Sequence, residues 1–157
     1  AWEEEANRAA SLGVRVAIVR TGLVLARSGG ALAPMVTPFR LFIGGPLGNG
    51  RQYVPWIHLN DEVAVFRFLL EHEEAAGPFN ASAPTPMSNR EFSQMLGEAL
   101  HRPSWLAAPA PLLRLMLGEM AQALLLSGQR ALPRRLEELG FAFRYASARE
   151  ALADVLG

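Results

Sequence analysis

The sequence predicts an α/β fold with a parallel sheet, on three observations. The run Val14–Val19 is β-branched and lies between turn residues, which is typical of a buried parallel strand. The stretch Tyr53–Asn80 has the pattern of a strand, a helix, a turn and a new strand that begins at Phe79. The 157 residues are 50% hydrophobic, which is enough for the core of one domain. A strand that returns to a parallel strand through a helix is a βαβ unit, and its crossover is expected to be right-handed.

Within the central stretch, Tyr53–Leu59 is rich in β-forming residues and is predicted to be a strand. Asn60 is the predicted N-cap of the following helix, and acidic residues follow it in the first turn. The apolar residues of this helix recur at helical spacing, so we expect them to form its buried face. They are Val63, Phe66, Leu69 and Leu70. The pair Gly77-Pro78 ends the helix.

The segments on either side are mostly helical. Ala1–Ala10 resembles a helix already under way, because no capping residue precedes Trp2, and we therefore expect the chain to be a piece of a longer protein. Ala31–Phe42 is a predicted helix with an interruption near Pro38.

The chain from Ser88 onward is predicted to contain helices and one strand. Ser88 and Glu91 form a predicted capping box, and Ser147 with Glu150 form a second one. The predicted elements between them are an apolar helix over Pro111–Leu126, a short helix over Leu132–Leu139 and an alternating strand over Phe141–Tyr145.

Composition excludes several classes of function. The net charge is zero without a block of like charge, which argues against nucleic acid as a partner. No apolar run is long enough for a membrane span, and the absence of cysteine is compatible with a cytoplasmic protein. All basic residues are arginine, so no mechanism can take an ε-amino group from this chain.

The residues alone leave the chemistry open. His58 is either a hydrogen-bonded structural histidine or a polar group beside a pocket, and the three histidines lack metal-ligand spacing. Asp61 and Glu62 are best explained as helix-start residues. The loop Gly44–Gly50 is either a turn-rich connection or a ligand loop. Arg51 is the best-placed residue for binding an anion, and Trp56 belongs to the core or to the wall of a cleft.

Five stretches together resemble one known family. They are VAIVRTGLVL, GGPLGNGRQYVPWIHLNDEVA, GPFNASAPTPMSNREF, GQRALPRRLEELGFAF and AREALADVL. The chain thereby resembles the atypical extended short-chain dehydrogenase/reductase family of NAD(P)-dependent nucleotide-sugar epimerases, of the YfcH type. The resemblance implies the C-terminal part of a Rossmann-like parallel sheet over residues 1–103. It also implies a small, mostly helical substrate or C-terminal domain over residues 104–157.

The resemblance also implies which site residues this chain has. The segment after the strand that ends in arginine lines the nicotinamide in relatives; here it is Thr21, Gly22, Leu23 and Val24. Substrate contacts are expected from Arg51, Trp56 and Asn49. Two positions depart from the pattern. Leu23 replaces an asparagine and Val54 replaces a diphosphate-binding arginine, which argues against a nucleotide-sugar substrate. His58 and Asp61 match a stretch that is structural in relatives.

The family's glycine-rich dinucleotide turn and its catalytic tyrosine–lysine pair have no counterpart in this sequence. We therefore expect this chain alone to bind no dinucleotide tightly and to catalyse no reaction, whereas the full-length parent uses NADP or NAD. Its expected partners are a small-molecule substrate and the missing N-terminal Rossmann half, and a homodimer is left open. The alternative function is a non-catalytic cofactor-sensing or protein-interaction module.

Overall fold

The computed structural model describes residues 2–109 and 128–157. Helices and strands alternate over most of this range. The helices are α1 (Trp2–Ala10), α2 (Leu32–Arg40), α3 (Leu59–Glu71), α4 (Asn89–Leu100), α5 (Arg134–Glu138) and α6 (Ala148–Leu156). The strands are β1 (Ala17–Thr21), β2 (Leu23–Leu25), β3 (Tyr53–Val54), β4 (Trp56–His58), β5 (Gly77–Ala81) and β6 (Met87–Ser88). No helix among the described residues is both long enough and apolar enough to cross a membrane.

The predicted parallel sheet is confirmed, with a shifted first strand. β1 pairs in parallel with β5, from Ala17 opposite Gly77 to Thr21 opposite Ala81. The strand begins at Ala17, three residues later than the predicted run, and it extends two residues beyond that run, to Thr21. The carboxyl ends of both strands therefore meet at Thr21 and Ala81.

Gly22 is the point at which the chain changes partner strands. Its amide donates to the Ala81 carbonyl, whereas the amide of Leu23 donates to the Pro55 carbonyl. From there β2 runs parallel to β4. A Cβ on Gly22 would lie 2.7 Å from the Pro55 carbonyl oxygen, so only glycine fits this close approach. β4 thus pairs with β2 and not with β5, and the simple βαβ pairing expected for the central stretch is wrong in this detail.

The predicted strand over Tyr53–Leu59 is divided at Pro55. β3 pairs antiparallel with β6, and β4 is fully buried. A proline lacks the N–H that a continuous ladder needs, so the division follows from the residue itself. Helix α3 then begins at Leu59 with His58 as its N-cap, because His58 Nδ1 accepts the Asn60 N–H at 3.1 Å. The prediction of Asn60 as the N-cap is therefore wrong.

The face that α3 buries also differs from the predicted one. Leu69 is buried as expected, but Val63, Phe66 and Leu70 are 61%, 47% and 76% exposed. The inward face instead consists of Asp61, Glu62, Val65 and Leu69. Asp61 accepts the backbone N–H groups of Arg144 and Tyr145, both at 2.9 Å. These two bonds hold the helix in a rotation that its apolar periodicity does not predict.

Helices α2 and α4 enclose the larger of two apolar cores. Helix α2 continues through Pro38, so the predicted interruption is wrong; the proline lies near the helix end, where only one hydrogen bond is lost. Helix α4 begins with the predicted capping box, in which Ser88 and Glu91 bond to each other's backbone amides. The second core lies between β1, β5 and α3, with Val65, Leu69 and Phe79 at its centre.

The C-terminal segment packs against both cores. Helix α5 approximates the predicted short helix, and its Arg135 donates to the carbonyls of Ala76 and Pro78 beside β5. Phe141–Tyr145 is irregular and forms no strand, because its amides at 144 and 145 bind the Asp61 carboxylate. Ser147 is the N-cap of α6, but its side chain makes no capping hydrogen bond in the described structure, so the second capping box is not formed. The predicted apolar helix over Pro111–Leu126 lies outside the described residues.

Candidate functional site

Two cavities meet where the parallel strands β1 and β5 end. Ligands in open α/β sheets bind at the carboxyl ends of the strands, so this edge is the expected location of a site. Thr21, Gly22, Pro55 and Gln129 line both cavities. We call them the apolar cavity and the polar cavity, after the side chains around them.

The apolar cavity has a volume of about 420 Å³. It lies between β2, helix α2 and the start of β3. Besides the shared residues, its walls consist of Leu23, Ala31, Met35, Leu47, Gln52, Tyr53, Val54, Asn89 and Gly128. Aliphatic walls with a few amides are typical of a pocket for an organic ring or a small apolar group.

The polar cavity has a volume of about 340 Å³ and lies across the ends of β1 and β5. Besides the shared residues, its walls consist of Arg20, Asn80, Ser82, Arg130 and Ala131. The walls that the structure describes therefore carry two guanidinium groups and no carboxylate.

Residues 128–132 run over the sheet edge and close the polar cavity. Asn80 Nδ2 donates to the Leu132 carbonyl at 3.0 Å, and Ser82 Oγ donates to the Ala131 carbonyl at 3.2 Å. Gly128 lies directly against the backbone of Tyr53, where a Cβ would clash. These contacts position the side chains of residues 129 and 130 beside the cavities.

A buried carboxyl group lies behind the cavity wall. The Thr21 hydroxyl donates to Glu62 Oε1 at 2.7 Å, and Glu62 is only 6% exposed. The second oxygen, Oε2, is buried and has no hydrogen-bond partner among the described residues. Burial raises the pKa of Glu62 above its ordinary value of 4.5, and the hydrogen bond from Thr21 opposes this shift.

This raised pKa predicts a loss of stability with rising pH. Below about pH 4.5, Glu62 is protonated in both the folded and the unfolded protein. Above that value the unfolded state ionises first, so the free energy of unfolding falls until the pH exceeds the raised folded pKa. We expect Glu62→Gln, which cannot ionise, to gain stability relative to the unmodified protein as the pH rises from about 4 to about 8. Urea denaturation at several pH values measures this difference, with exposed Glu71→Gln as the matched control; parallel curves for Glu62→Gln and the unmodified protein would contradict it.

The structure places only some of the expected cofactor and substrate contacts beside the cavities. Thr21, Gly22 and Leu23 line the cavities, whereas Val24 packs against the second apolar core. Trp56 is 1% exposed in the larger core and does not line either cavity.

Asn49 and Arg51 lie in the loop beside the apolar cavity. Asn49 Oδ1 accepts the Arg51 N–H at 2.9 Å, and the Asn49 carbonyl accepts from Arg90 at 3.1 Å. The wall at this point consists of Leu47 and Gln52. The binding roles of Asn49, Arg51 and Trp56 stay predictions.

Sequence reasoning missed Gln129 and Arg130. They lie more than 45 residues after the strand ends that they cover, and nothing in their local pattern indicates a cavity. Side-chain bonds from Asn80 and Ser82 bring them there.

His58 belongs to a structural cluster with Tyr145 and Asp154, in which His58 and Tyr145 are buried and Asp154 is exposed. Because its Nδ1 accepts the Asn60 N–H, the proton of the neutral ring is on Nε2, which lies 3.3 Å from Asp154 Oδ2. The ring stacks on Tyr145 at 3.8 Å, and the Tyr145 hydroxyl donates to Asp154 Oδ1 at 3.0 Å. The bond from Tyr145, helped by His58, holds the pKa of Asp154 below its ordinary value. The cluster joins β4 to α6, and within the described residues no three His, Asp or Glu side chains group closely enough for a metal ion.

Comparison with known proteins identifies relatives over nearly the whole chain. Residues 108–155 match a domain of unknown function, DUF1731. The chain is 43% identical over 155 residues to an epimerase family protein of Staphylococcus epidermidis, covering 99% of this chain and 52% of that protein. It is 41% identical to an epimerase family protein of Staphylococcus aureus, of which it covers 51%. The chain thus spans about half the length of these relatives.

Solved structures agree with these sequence matches. The human epimerase family protein SDR39U1, solved with NADPH, superposes with a TM-score of 0.86 and 36% identity, over 91% of this chain and 48% of that one. A nucleoside-diphosphate sugar epimerase from Corynebacterium glutamicum superposes with a TM-score of 0.78 and 32% identity, over 99% of this chain and 29% of that one. UDP-glucose 4-epimerase from Thermotoga maritima shares the fold at 15% identity, with a TM-score of 0.70 over 98% of this chain and 49% of that one. By sequence and by structure, the chain is therefore similar to the C-terminal portion of epimerase family proteins of the atypical short-chain dehydrogenase type, and its residues 108–155 match a domain of unknown function.

Proposed function

We propose that this chain is the C-terminal part of an NAD(P)-dependent epimerase-like oxidoreductase. In the parent it forms the wall of the cofactor cleft beside the nicotinamide and supplies the substrate pocket. The observation that carries this proposal is the position of Thr21, Gly22 and Leu23, which line cavities at the carboxyl ends of parallel strands. A human relative solved with NADPH supports the choice of cofactor.

The residues of this chain suit binding and positioning. The backbone at Thr21–Val24 would contact the nicotinamide, with Leu23 as an apolar surface that excludes water from the ring. Hydride transfer would be supplied by the bound nicotinamide itself. The glycine-rich turn and the tyrosine–lysine pair are assigned to the N-terminal half of the parent, because this sequence has neither.

Substrate binding is assigned to the apolar cavity and its rim. Leu23 and Val54 occupy positions where many sugar-nucleotide enzymes have an asparagine and an arginine, and both line this cavity. Aliphatic side chains there provide no donor for a diphosphate, so the proposed substrate is a small organic molecule other than a nucleotide sugar. The exposed Arg51 and Asn49 remain proposed contacts at the rim.

Cofactor binding by the full-length parent tests the proposal. We expect saturable binding of NADPH or NADH in calorimetric titration, and weak or no binding by this chain alone. Gly22→Ala in the parent should weaken binding by about tenfold or more, because its Cβ would push β2 away from Pro55. Gly13→Ala is the control: its Cβ would meet no atom within 4 Å, but its φ of +79° strains any side chain, so it should cost stability without lowering dinucleotide affinity. A parent that binds neither dinucleotide would refute the proposal.

One observation favours the second candidate, a non-catalytic cofactor-sensing or protein-interaction module. Val63, Phe66 and Leu70 form an exposed apolar row along α3. The upstream sequence separates the candidates: a glycine-rich turn without a tyrosine–lysine pair favours sensing, and both motifs together favour the enzyme.

A further inference from the structure

The two arginines in the wall of the polar cavity differ in their acidic partners. Arg20 is neutralised, because its guanidinium donates twice to the Glu3 carboxylate at 2.7 Å. Arg130 has no acidic partner among the described residues; its guanidinium lies over the Tyr53 ring, 5.7 Å from the ring centre. A second carboxyl group that bonds to a wall residue, Glu62, lies behind Thr21 and is buried. Among the described residues, the cavity therefore presents one positive charge without an acidic partner.

The backbone that carries Arg130 is held on both sides. The carbonyls of Ala131 and Leu132 accept from Ser82 and Asn80, and Gly128 packs on the Tyr53 backbone. A fixed backbone and an aromatic surface under the guanidinium reduce the entropy that the side chain loses when it binds a ligand. A guanidinium held in this way matches the planar oxygens of a carboxylate or a phosphate.

We propose that Arg130 binds an anionic group, a carboxylate or a phosphate, of the ligand that fills the two cavities. The polar cavity of about 340 Å³ holds the anion, and the apolar cavity next to it holds the uncharged part of the ligand. The inference rests on the proposed function, since it assigns the anion to the same cleft as the nicotinamide. The anion belongs either to a substrate or to the dinucleotide, and the experiment distinguishes these sources.

Inorganic phosphate is the probe, titrated into the full-length parent at constant ionic strength. The NMR signals of the arginine Nε–H groups follow its binding. We expect saturable binding that Arg130→Gln weakens by about tenfold or more, the usual effect of losing a charged hydrogen bond. Arg130→Lys keeps the charge but loses the planar guanidinium and its stacking on Tyr53, so it should retain only part of the affinity. The matched control is Arg134→Gln, an exposed arginine outside both cavities, which should bind phosphate normally.

A second titration with NADPH identifies the source of the anion. Competition between phosphate and NADPH assigns the anion to the dinucleotide, and independent binding assigns it to a substrate. The inference is overturned if phosphate does not bind saturably, if Arg130→Gln binds it normally, or if Arg51→Gln loses binding while Arg130→Gln retains it. A parent that binds phosphate through Arg130 but binds no dinucleotide would refute the proposed function alone.

Discussion

Replacing Asp61 by alanine is expected to lower the free energy of unfolding by about 2–5 kcal/mol, because one buried and one partly buried backbone donor lose their acceptor. Asp61 Oδ1 accepts the N–H of Arg144 and Oδ2 accepts the N–H of Tyr145, both at 2.9 Å. Asp61 itself is buried, so water cannot replace the lost bonds without opening the structure. Urea denaturation of the full-length protein measures the change.

Amide hydrogen exchange tests whether the lost stability comes from the two hydrogen bonds of Asp61. In Asp61→Ala, the amides of Arg144 and Tyr145 should exchange with solvent hydrogen much faster, together with those of helix α6. Asp61→Asn should lie between the alanine variant and the unmodified protein, since its amide has one acceptor oxygen instead of two. Glu71→Ala is the control on the same helix: it breaks only an exposed pair with Arg67, which predicts a loss below about 0.5 kcal/mol. Equal losses for Asp61→Ala and Glu71→Ala would contradict the proposed role of Asp61.

Trp56→Ala is expected to lower the free energy of unfolding by about 3–5 kcal/mol, because it leaves a large cavity in the core. The side chain is fully enclosed in the larger apolar core, on the three-residue strand β4 that pairs with β2. Trp56→Phe should cost considerably less, since most of the volume remains. Trp105→Ala, at a largely exposed tryptophan, should cost about 1 kcal/mol or less.

The same series tests the predicted contact between Trp56 and substrate. A structural role predicts that Trp56→Phe leaves ligand affinity unchanged while stability falls. A loss of affinity in Trp56→Phe at unchanged stability would instead support direct contact. Calorimetry and denaturation on the same preparation provide both measurements.

Local signals in the sequence identified much of the architecture. Parallel pairing of the strand before Gly22 with the strand from Gly77 follows from β-branched residues bounded by turns. The Ser88–Glu91 capping box forms because both partners lie within one helical turn. The family resemblance added the proposed cofactor segment, of which Thr21, Gly22 and Leu23 lie on a cavity wall.

Predictions failed where distant residues compete for the same groups. The buried face of α3 was mispredicted because Asp61 bonds to amides 83 and 84 residues away, which outweighs the burial of Val63 and Phe66. The same bonds occupy the amides that a strand over Phe141–Tyr145 would need.

By itself, the sequence determined the fold class and the order of the described helices. Only the tertiary structure decided which side of α3 faces inward, that Trp56 belongs to the core, and that Arg130 reaches the cavity. The physical reason is the distance along the chain over which each interaction acts. Helix propensity and capping act between residues that are a few positions apart. The rotation of α3 and the walls of the cavities depend on hydrogen bonds between residues about 50 to 80 positions apart.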